Sequence, residues 1–252
     1  MTRSYRLAAA IAFFAAALVI SFHAQTAWAA SSKPVTVLEL FTSQGCSSCP
    51  PADRLLKKFR KRKDIVALTF NVDYWDYLGW KDTLASPKYT ARQRDYARAR
   101  GDGQVYTPQT VINGVRHAVG SREADIERAI GRSRSDVKKL RVSLKMWTED
   151  GTLIIEAGAA PAGVRYKPAT IWMALVKKSE TVSIKRGENS GEKITYYNVV
   201  RELTPVGQWN GKAVTVKLPK HHLMARGSDG CTVFLQQDTA GPILAAAEMT
   251  DW

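Results

Sequence analysis

Short apolar runs and stretches of helical period alternate through the first half of the chain. Residues 35–41 and 65–71 are rich in β-branched and other apolar residues, which predicts two buried strands. Between these runs, Leu55 and Phe59 recur at helical spacing, while lysines and arginines fill most of the other positions. This alternation is typical of an α/β unit that contains a parallel pair of strands.

A further helix is predicted between Ser86 and Gly101. Serine is a good N-cap, and Pro87 suits the first helical turn because proline has no N–H to donate. Glycine is a common residue just beyond a helix C-terminus. Both ends of this helix are therefore marked by residues of the expected type.

A β-hairpin is predicted around Asn113-Gly114. The two residues separate short apolar runs over residues 109–112 and 115–119, and both tolerate a positive φ. Ser121 then caps a closing helix. The predicted order of the first half is strand, helix, strand, helix, hairpin and helix.

The second half of the chain has a different pattern, with strands and turns and no long helix. This pattern predicts a small antiparallel β-sandwich. The boundary between the halves is expected within residues 131–135. The predicted strands cover residues 140–147, 152–157, 170–177, 195–203, 213–218 and 231–236.

The first 29 residues have the pattern of a secretory signal peptide. Arg3 and Arg6 precede an apolar run over residues 7–22, and residues 27–29 offer small side chains for a signal peptidase. The run is about 16 residues long, shorter than the ~20 of a transmembrane helix. We therefore expect cleavage, no stable membrane insertion afterwards, and a periplasmic or secreted protein. An uncleaved anchor is the alternative.

Composition excludes a disordered chain and adds a strong positive charge. The 252 residues are 45% hydrophobic, enough to bury a sizeable core. Lysine and arginine number 37 against 23 acidic residues, a formal net charge of +14. Such a charge permits nucleic acid, anionic membranes or acidic partners. Because the basic residues of the 86–101 helix point in several directions around it, nucleic-acid binding is not expected.

Candidate chemistry is concentrated at Cys46 and Cys49. Two thiols separated by two residues can close a small disulfide ring. Pro50 and Pro51 suit only the first turn of a helix, which places Cys46 at a helix N-terminus. The N–H groups and the dipole there favour a thiolate. Cys46 is therefore the candidate nucleophile and Cys49 the resolving thiol.

Other interpretations of this cysteine pair stay open. The pair can form a structural disulfide, or half of a zinc site. Zinc needs a second pair of ligands, and only Cys231 remains, on a predicted strand where it is interpreted as a small buried hydrophobe. No cofactor and no metal are expected.

The order of elements, with a Cys-x-x-Cys motif at a helix start and Thr107-Pro108 before a hairpin, resembles the thioredoxin fold. Residues 39–53, ELFTSQGCSSCPPAD, and residues 73–76, DYWD, are similar to a family of secreted bacterial thioredoxin-like proteins known chiefly as a domain of unknown function. The resemblance implies a cis Pro108 that faces the sulfurs and a candidate redox centre, but no substrate. Gly45 stands where thioredoxins usually have tryptophan, so a different substrate face is expected.

Glu39 is a charged residue inside the first apolar strand. By the period of two it shares a face with Val37 and Phe41. A buried carboxyl there could exchange a proton with the thiols, and thioredoxins carry an acid at a comparable place. The alternative is a glutamate neutralised by a backbone or lysine partner.

Aromatic and acidic residues follow the second strand, where strand ends in this kind of sheet approach the site. They suggest a wall that binds a peptide or another ligand. The alternatives are a small satellite core, and a metal site formed by the two aspartates. The candidate substrate-binding residues are Gln44, Asp73, Trp75, Asp76, Trp80 and Thr107.

The sequence thus predicts a thioredoxin-like domain with a helical insertion over residues 30–135, followed by an antiparallel β-sandwich domain over residues 136–252. The predicted activity is thiol–disulfide exchange, with protein or small-molecule thiols and disulfides as partners and a membrane or periplasmic redox protein to recycle it. The alternatives are a non-enzymatic binding module with a structural disulfide, and a copper-handling protein that uses both thiolates together with His221 or His222. The candidate catalytic residues are Cys46, Cys49, Pro108 and Glu39.

Overall fold

The structure, a computed structural model, describes residues 36–224 and 227–250. The predicted signal peptide lies outside these residues. The helices are α1 (Pro50–Arg60), α2 (Pro87–Arg100), α3 (Glu123–Val137) and the short α4 (Lys220–Met224). The strands are β1 (Thr36–Thr42), β2 (Ile65–Asn71), β3 (Gln109–Ile112), β4 (Arg116–Val119), β5 (Leu144–Glu149), β6 (Thr152–Ala157), β7 (Ala169–Ser183), β8 (Lys193–Trp209), β9 (Val214–Pro219), β10 (Gly230–Gln237) and β11 (Ile243–Thr250).

One mixed sheet of eight strands organises the molecule, in the order β11-β10-β7-β8-β2-β1-β3-β4. β1 and β2 are parallel, and β3 and β4 continue the sheet in antiparallel fashion. On the other side, β8 joins β2 in parallel, with Thr69 opposite Val199. β7, β10 and β11 then follow as antiparallel strands. A second, three-stranded sheet has the order β5-β6-β9.

The predicted fold class is wrong in its central feature. We expected a thioredoxin-like domain with a helical insertion and a separate antiparallel β-sandwich. Instead, β7, β8, β10 and β11 from the second half extend the sheet that β1 to β4 begin, and strands predominate over helices. The physical reason is the free edge of β2, whose N–H and C=O groups need partners and obtain them from β8. α3 also runs through residues 131–135, where the domain boundary was placed.

Side chains of β1 alternate between two hydrophobic cores. Val37 and Phe41 pack in the core that contains Tyr96 of α2. Leu38 and Leu40 pack in the core formed with α1 and α3. The sheet therefore carries α2 on one face and α1 with α3 on the other. A further core fills the space between the three-stranded sheet and the β7, β10 and β11 end of the large sheet.

The structure confirms the predicted helix cap at Ser86 and the predicted hairpin turn at Asn113-Gly114. Ser86 is the N-cap of α2 and accepts a hydrogen bond from the Lys88 amide, and Gly101 follows the helix with a φ of 74°. Asn113 and Gly114 turn the β3–β4 hairpin with φ values of 49° and 71°. Within the described part of the chain, the helices are too short or too polar to cross a bilayer.

Candidate functional site

A disulfide joins Cys46 and Cys49 in the segment between β1 and α1. β1 is buried along its whole length and delivers the chain to this point. α1 begins at Pro50, because proline suits a first turn, and Cys49 is its N-cap. Cys46 lies in the turn that precedes the cap, where its carbonyl accepts a hydrogen bond from the Cys49 amide at 3.1 Å. The predicted position of Cys46 at the helix N-terminus is therefore wrong by one turn.

Both sulfur-bearing residues are largely enclosed. Cys46 is 2% exposed and Cys49 is fully buried. The two residues between them, Ser47 and Ser48, are exposed, and Ser48 Oγ lies 3.4 Å from Cys46 Sγ. An incoming group would therefore reach Cys46 past these two serines, and Cys49 only after Cys46 has reacted.

The peptide bond between Thr107 and Pro108 is cis, as the resemblance implied. The segment between β1 and α1, residues 43–49, is called the disulfide loop. The Thr107 carbonyl oxygen lies 3.5 Å from Ser48 Oγ, so the cis bond is next to this loop. Pro108 is buried close to α1, since a Cβ placed on Gly120 would lie 3.1 Å from Pro108 Cβ and 3.2 Å from Ala52 Cβ. The cysteine pair and the proline are thus brought together at one edge of the sheet.

Gln44 and Trp80 meet beneath the disulfide loop. The indole N–H of Trp80 donates to Gln44 Oε1 at 2.8 Å, and the backbone N–H of Gln44 donates to Asp82 Oδ2 at 2.7 Å. Gln44 is fully buried. It supports the loop from within, whereas the sequence predicted it to contact a substrate.

Trp75 fills the space beside Gly45. A Cβ on Gly45 would lie 3.1 Å from Trp75 Cβ and 3.2 Å from the Trp75 carbonyl oxygen, so a larger residue here would have to displace Trp75 slightly. The Trp75 indole N–H donates to Thr107 Oγ1 at 2.7 Å. Tyr77 stacks on Trp75 and is 77% exposed. The stacked rings of Trp75 and Tyr77, together with Thr107, therefore form a wall next to the disulfide loop.

Asp73 and Asp76 bind neighbouring segments rather than the loop itself. Asp73 accepts a hydrogen bond from the Thr90 hydroxyl at 2.5 Å, which ties it to α2. Asp76 accepts one from the Asp82 amide at 3.0 Å. Among residues 36–224 and 227–250, no group of three His, Cys, Asp or Glu side chains is arranged to hold a metal ion.

Glu39 forms a buried ion pair on the α2 face of the sheet. Its two carboxylate oxygens accept hydrogen bonds from Arg92 at 2.7 and 3.0 Å, and the Tyr96 hydroxyl donates a third at 2.5 Å. Arg92 also donates to Gln236 of β10. Glu39 therefore contacts an arginine instead of the thiols, which lie near the opposite face with α1. The predicted proton exchange by Glu39 has no support in this geometry.

Asp53 is a second buried carboxyl, one turn along α1 from Cys49. Its amide donates to the Cys49 carbonyl at 3.2 Å. The side chain is 2% exposed, and neither of its oxygens has a hydrogen-bond partner among the described residues. Burial raises the pKa of Asp53 to about 8; the nearby Thr42 hydroxyl opposes this shift, and the charge of Asp82 adds to it.

Asp82 and Tyr196 complete a polar cluster with Asp53. Burial raises the pKa of Asp82, and hydrogen bonds from Gln44 and Asn71 oppose this shift. Tyr196, on β8, is 1% exposed, and its hydroxyl has no partner within the described part of the chain. Burial, and then the nearby Asp53 and Asp82, raise the pKa of this phenol. The cluster therefore joins α1, the segment after β2, and β8.

The sequence contained a signal for Asp53 but none for the other two members of this cluster. Asp53 precedes Leu56 by three residues, which places it on the buried side of α1. Asp82 and Tyr196 come from distant segments, and only the long-range pairing of β8 with β2 brings them together.

The tip of the β7–β8 hairpin, residues 184–192, covers the disulfide loop. Asn189 is 6% exposed, and its side-chain amide donates to the Gln44 carbonyl at 2.9 Å and to the Cys46 carbonyl at 3.0 Å. The Ser47 amide donates to Glu188 Oε2 at 3.3 Å. The tip of a hairpin from the second half of the chain thus contributes directly to the site.

Comparisons with known proteins place this geometry in a family. A crystal structure of a protein from Agrobacterium tumefaciens is similar, with 36% sequence identity, a TM-score of 0.76, and coverage of 87% of this chain and 96% of that one. HBP35 of Porphyromonas gingivalis shares the fold at 13% identity and a TM-score of 0.57, with coverage of 88% and 76%. No curated protein matches the chain. The family described as protein of unknown function (DUF1223) matches residues 37–236, and this chain belongs to it.

Proposed function

We propose that this protein is a thiol–disulfide oxidoreductase of the periplasm or the extracellular space, related in its active-site chemistry to the thioredoxin-like enzymes. The observation that carries the proposal is the Cys46–Cys49 bridge beside the cis bond between Thr107 and Pro108. The signal-peptide pattern of residues 1–29 supports the location, because disulfides persist in oxidising compartments. Its partners are thiols and disulfides of proteins or small molecules, including a redox protein that regenerates the bridge or the dithiol.

The proposed reaction proceeds through a mixed disulfide. The Cys46 thiolate attacks one sulfur of a substrate disulfide, and the other substrate sulfur leaves as a thiolate. The Cys49 thiolate then attacks Cys46 Sγ, which forms the Cys46–Cys49 bridge and releases the second substrate sulfur. The substrate gains two electrons and the enzyme dithiol loses them. The same steps in reverse oxidise a dithiol substrate.

We assign Asp53 as the group that accepts the proton of the Cys49 thiol. Cys49 is fully buried, so water has little access to its thiol. The pKa of Asp53, about 8, is close to the ordinary thiol value of ~8.5, and transfer of a proton between two groups of similar pKa costs little free energy. Asp53 thus takes the role that the sequence suggested for Glu39.

A cysteine trap tests the proposed function. We expect Cys49→Ser, produced in cells with its signal peptide, to accumulate proteins or small thiols in mixed disulfides with Cys46, because the resolving thiol is absent. The measurement is non-reducing electrophoresis followed by mass spectrometry of the adducts. The double variant Cys46→Ser with Cys49→Ser is the matched control and should capture nothing.

Two results would contradict the proposal. One is a folded Cys49→Ser protein that carries no adduct at any expression level. The other is a Cys46–Cys49 bridge with a reduction potential below about −300 mV that no physiological dithiol reduces. Either would favour a structural disulfide in a binding module.

The pH dependence of the resolving step distinguishes the two buried carboxyls. The rate of mixed-disulfide resolution should rise as Asp53 ionises around pH 8, because only the carboxylate can accept the Cys49 proton. Asp53→Asn should lose the rise around pH 8 and keep only a later rise that accompanies ionisation of the buried Cys49 thiol itself, whereas Glu39→Gln should keep the rise around pH 8. The measurement is stopped-flow release of a chromogenic thiol over a pH series. Loss of the rise in Glu39→Gln alone would reverse the assignment.

A further inference from the structure

We infer that the tip of the β7–β8 hairpin, residues 184–192, determines which disulfides reach Cys46, and that Asn189 is the positioning residue that holds the tip in place. The tip favours low-molecular-weight disulfides and flexible peptide segments over disulfides set in a rigid folded surface. This inference rests on the proposed oxidoreductase function and adds a specificity element to it.

Asn189 holds the tip against the disulfide loop by contacting the residues before and after Gly45. Each of the two N–H bonds of its side-chain amide can serve one carbonyl, that of Gln44 or that of Cys46. The side chain is buried, so these hydrogen bonds do not compete with bulk water. The position of the Cys46 backbone and the position of the tip are therefore coupled through one residue.

The tip is a defined structure. The Ile184 amide donates to the Glu192 carbonyl at 2.9 Å, and the Gly191 amide donates to the Ile184 carbonyl at 2.9 Å. Ile184 is 2% exposed and packs in a small core with Leu84 and Trp80, close to the loop itself. The tip is thus fixed at its base by apolar contacts and at its end by Asn189.

The remaining approach to Cys46 is narrow. The tip lies on one side of the loop, where Glu188 accepts a hydrogen bond from the Ser47 amide. The wall of Trp75, Tyr77 and Thr107 adjoins the same loop through Gly45 and Ser48, and Cys46 is only 2% exposed. Thiol–disulfide exchange needs an attacking and a leaving sulfur in contact with the reacting sulfur. A small disulfide or a flexible segment can approach a sulfur with so little exposed surface, whereas a disulfide in a broad rigid surface meets the tip first.

The experiment compares access to Cys46 for small and bulky probes. The reduced protein is alkylated with iodoacetamide or with a maleimide that carries a long polyethylene glycol chain, and the modification of Cys46 is quantified by peptide mass spectrometry. Disulfide exchange is measured in parallel with oxidised glutathione and with a folded disulfide protein. The variants are Asn189→Ala, Asn189→Asp, which cannot donate, and Asn189→Ser, which keeps one donor. Ser190→Ala, on the same tip, is the matched control because the Ser190 hydroxyl donates only to the Lys185 carbonyl among the described residues, within the tip itself.

We expect the ratio of bulky to small alkylation rates to rise about tenfold in Asn189→Ala and Asn189→Asp, since two buried hydrogen bonds are lost. Asn189→Ser should lie between these variants and the unaltered protein, and Ser190→Ala should match the latter. The rate with the folded disulfide protein should rise by a similar factor, while the rate with glutathione changes little.

An unchanged ratio in all three Asn189 variants would overturn the inference. Equal gains with small and bulky probes would overturn it as well, because that result describes general loosening rather than selection. Should Asn189→Ala not fold, the milder Asn189→Ser decides by the same ratio. Alkylation needs no exchange activity, so a changed ratio in a protein that exchanges with no disulfide would remove the proposed function and leave the steric role of the tip.

Discussion

Asp53→Asn is expected to gain on the order of 5 kcal/mol of stability relative to the unaltered protein as the pH rises from about 4 to about 8. Below about pH 4 the Asp53 carboxyl is protonated in both the folded and the unfolded chain, so its titration does not affect folding. Between the ordinary value of 3.8 and about 8, the unfolded chain releases the proton and the folded chain keeps it. The free energy of unfolding therefore falls by ~1.36 kcal/mol per pH unit. Asparagine does not titrate and escapes this loss.

Denaturant unfolding across this pH range measures the difference. Asp238→Asn is a suitable control, because the Asp238 side chain is 52% exposed and its left-handed φ of 53° also suits asparagine. The control should follow the unaltered protein at every pH. If Asp53→Asn also lost stability in parallel with the unaltered protein, Asp53 would be ionised in the folded state, and its proposed role towards Cys49 would fail.

Arg92→Met is expected to lower the free energy of unfolding by about 3–5 kcal/mol. The Glu39 carboxylate accepts three side-chain hydrogen bonds, two from Arg92 and one from the Tyr96 hydroxyl. The substitution removes the two from Arg92 and leaves the carboxylate buried with the one from Tyr96. It also removes the guanidinium that donates to Gln236 and lies over the Phe234 ring. The loss is large because the cost of burying an unpaired charge greatly exceeds the net gain from a typical hydrogen bond.

A double substitution separates the charge from the packing. Arg92→Met with Glu39→Leu should recover most of the lost stability, because an apolar pair of similar volume needs no desolvation of charge. Arg94→Met, on the exposed side of the same helix, should change the free energy of unfolding by less than about 0.5 kcal/mol. Denaturant unfolding of the four proteins measures these differences. A double variant no more stable than Arg92→Met would show that the ion pair does not account for the loss.

Local signals in the sequence were enough to find many of the elements. The bounds predicted for β2 and α2 are those of the structure. A run of apolar, β-branched residues marks β2, and a serine cap marks the start of α2, so both signals lie within or next to the element that they predict. β11 was missed, because its alanines have high helix propensity and only pairing with β10 makes them a strand. The pairing of Val199 with Thr69 has no local signal at all, and it decides the architecture.

The contrast between local signals and long-range contacts also explains which features of the candidate site could be predicted. The Cys46–Cys49 pair and the cis bond before Pro108 could be predicted because each belongs to a motif whose parts adjoin in the chain. Glu39 was placed on the correct face of β1 by its period of two, but its partner Arg92 comes from another element. The contact of Asn189 with the loop likewise depends on a strand from the second half.

The union of β8 with β2 also bears on how such a protein can change over generations. A copy of this chain cut after α3 would bare the edge of β2 and remove the covering of Cys46 together. The two halves therefore have to fold together, and a substitution in the later half can alter the environment of a cysteine in the earlier one.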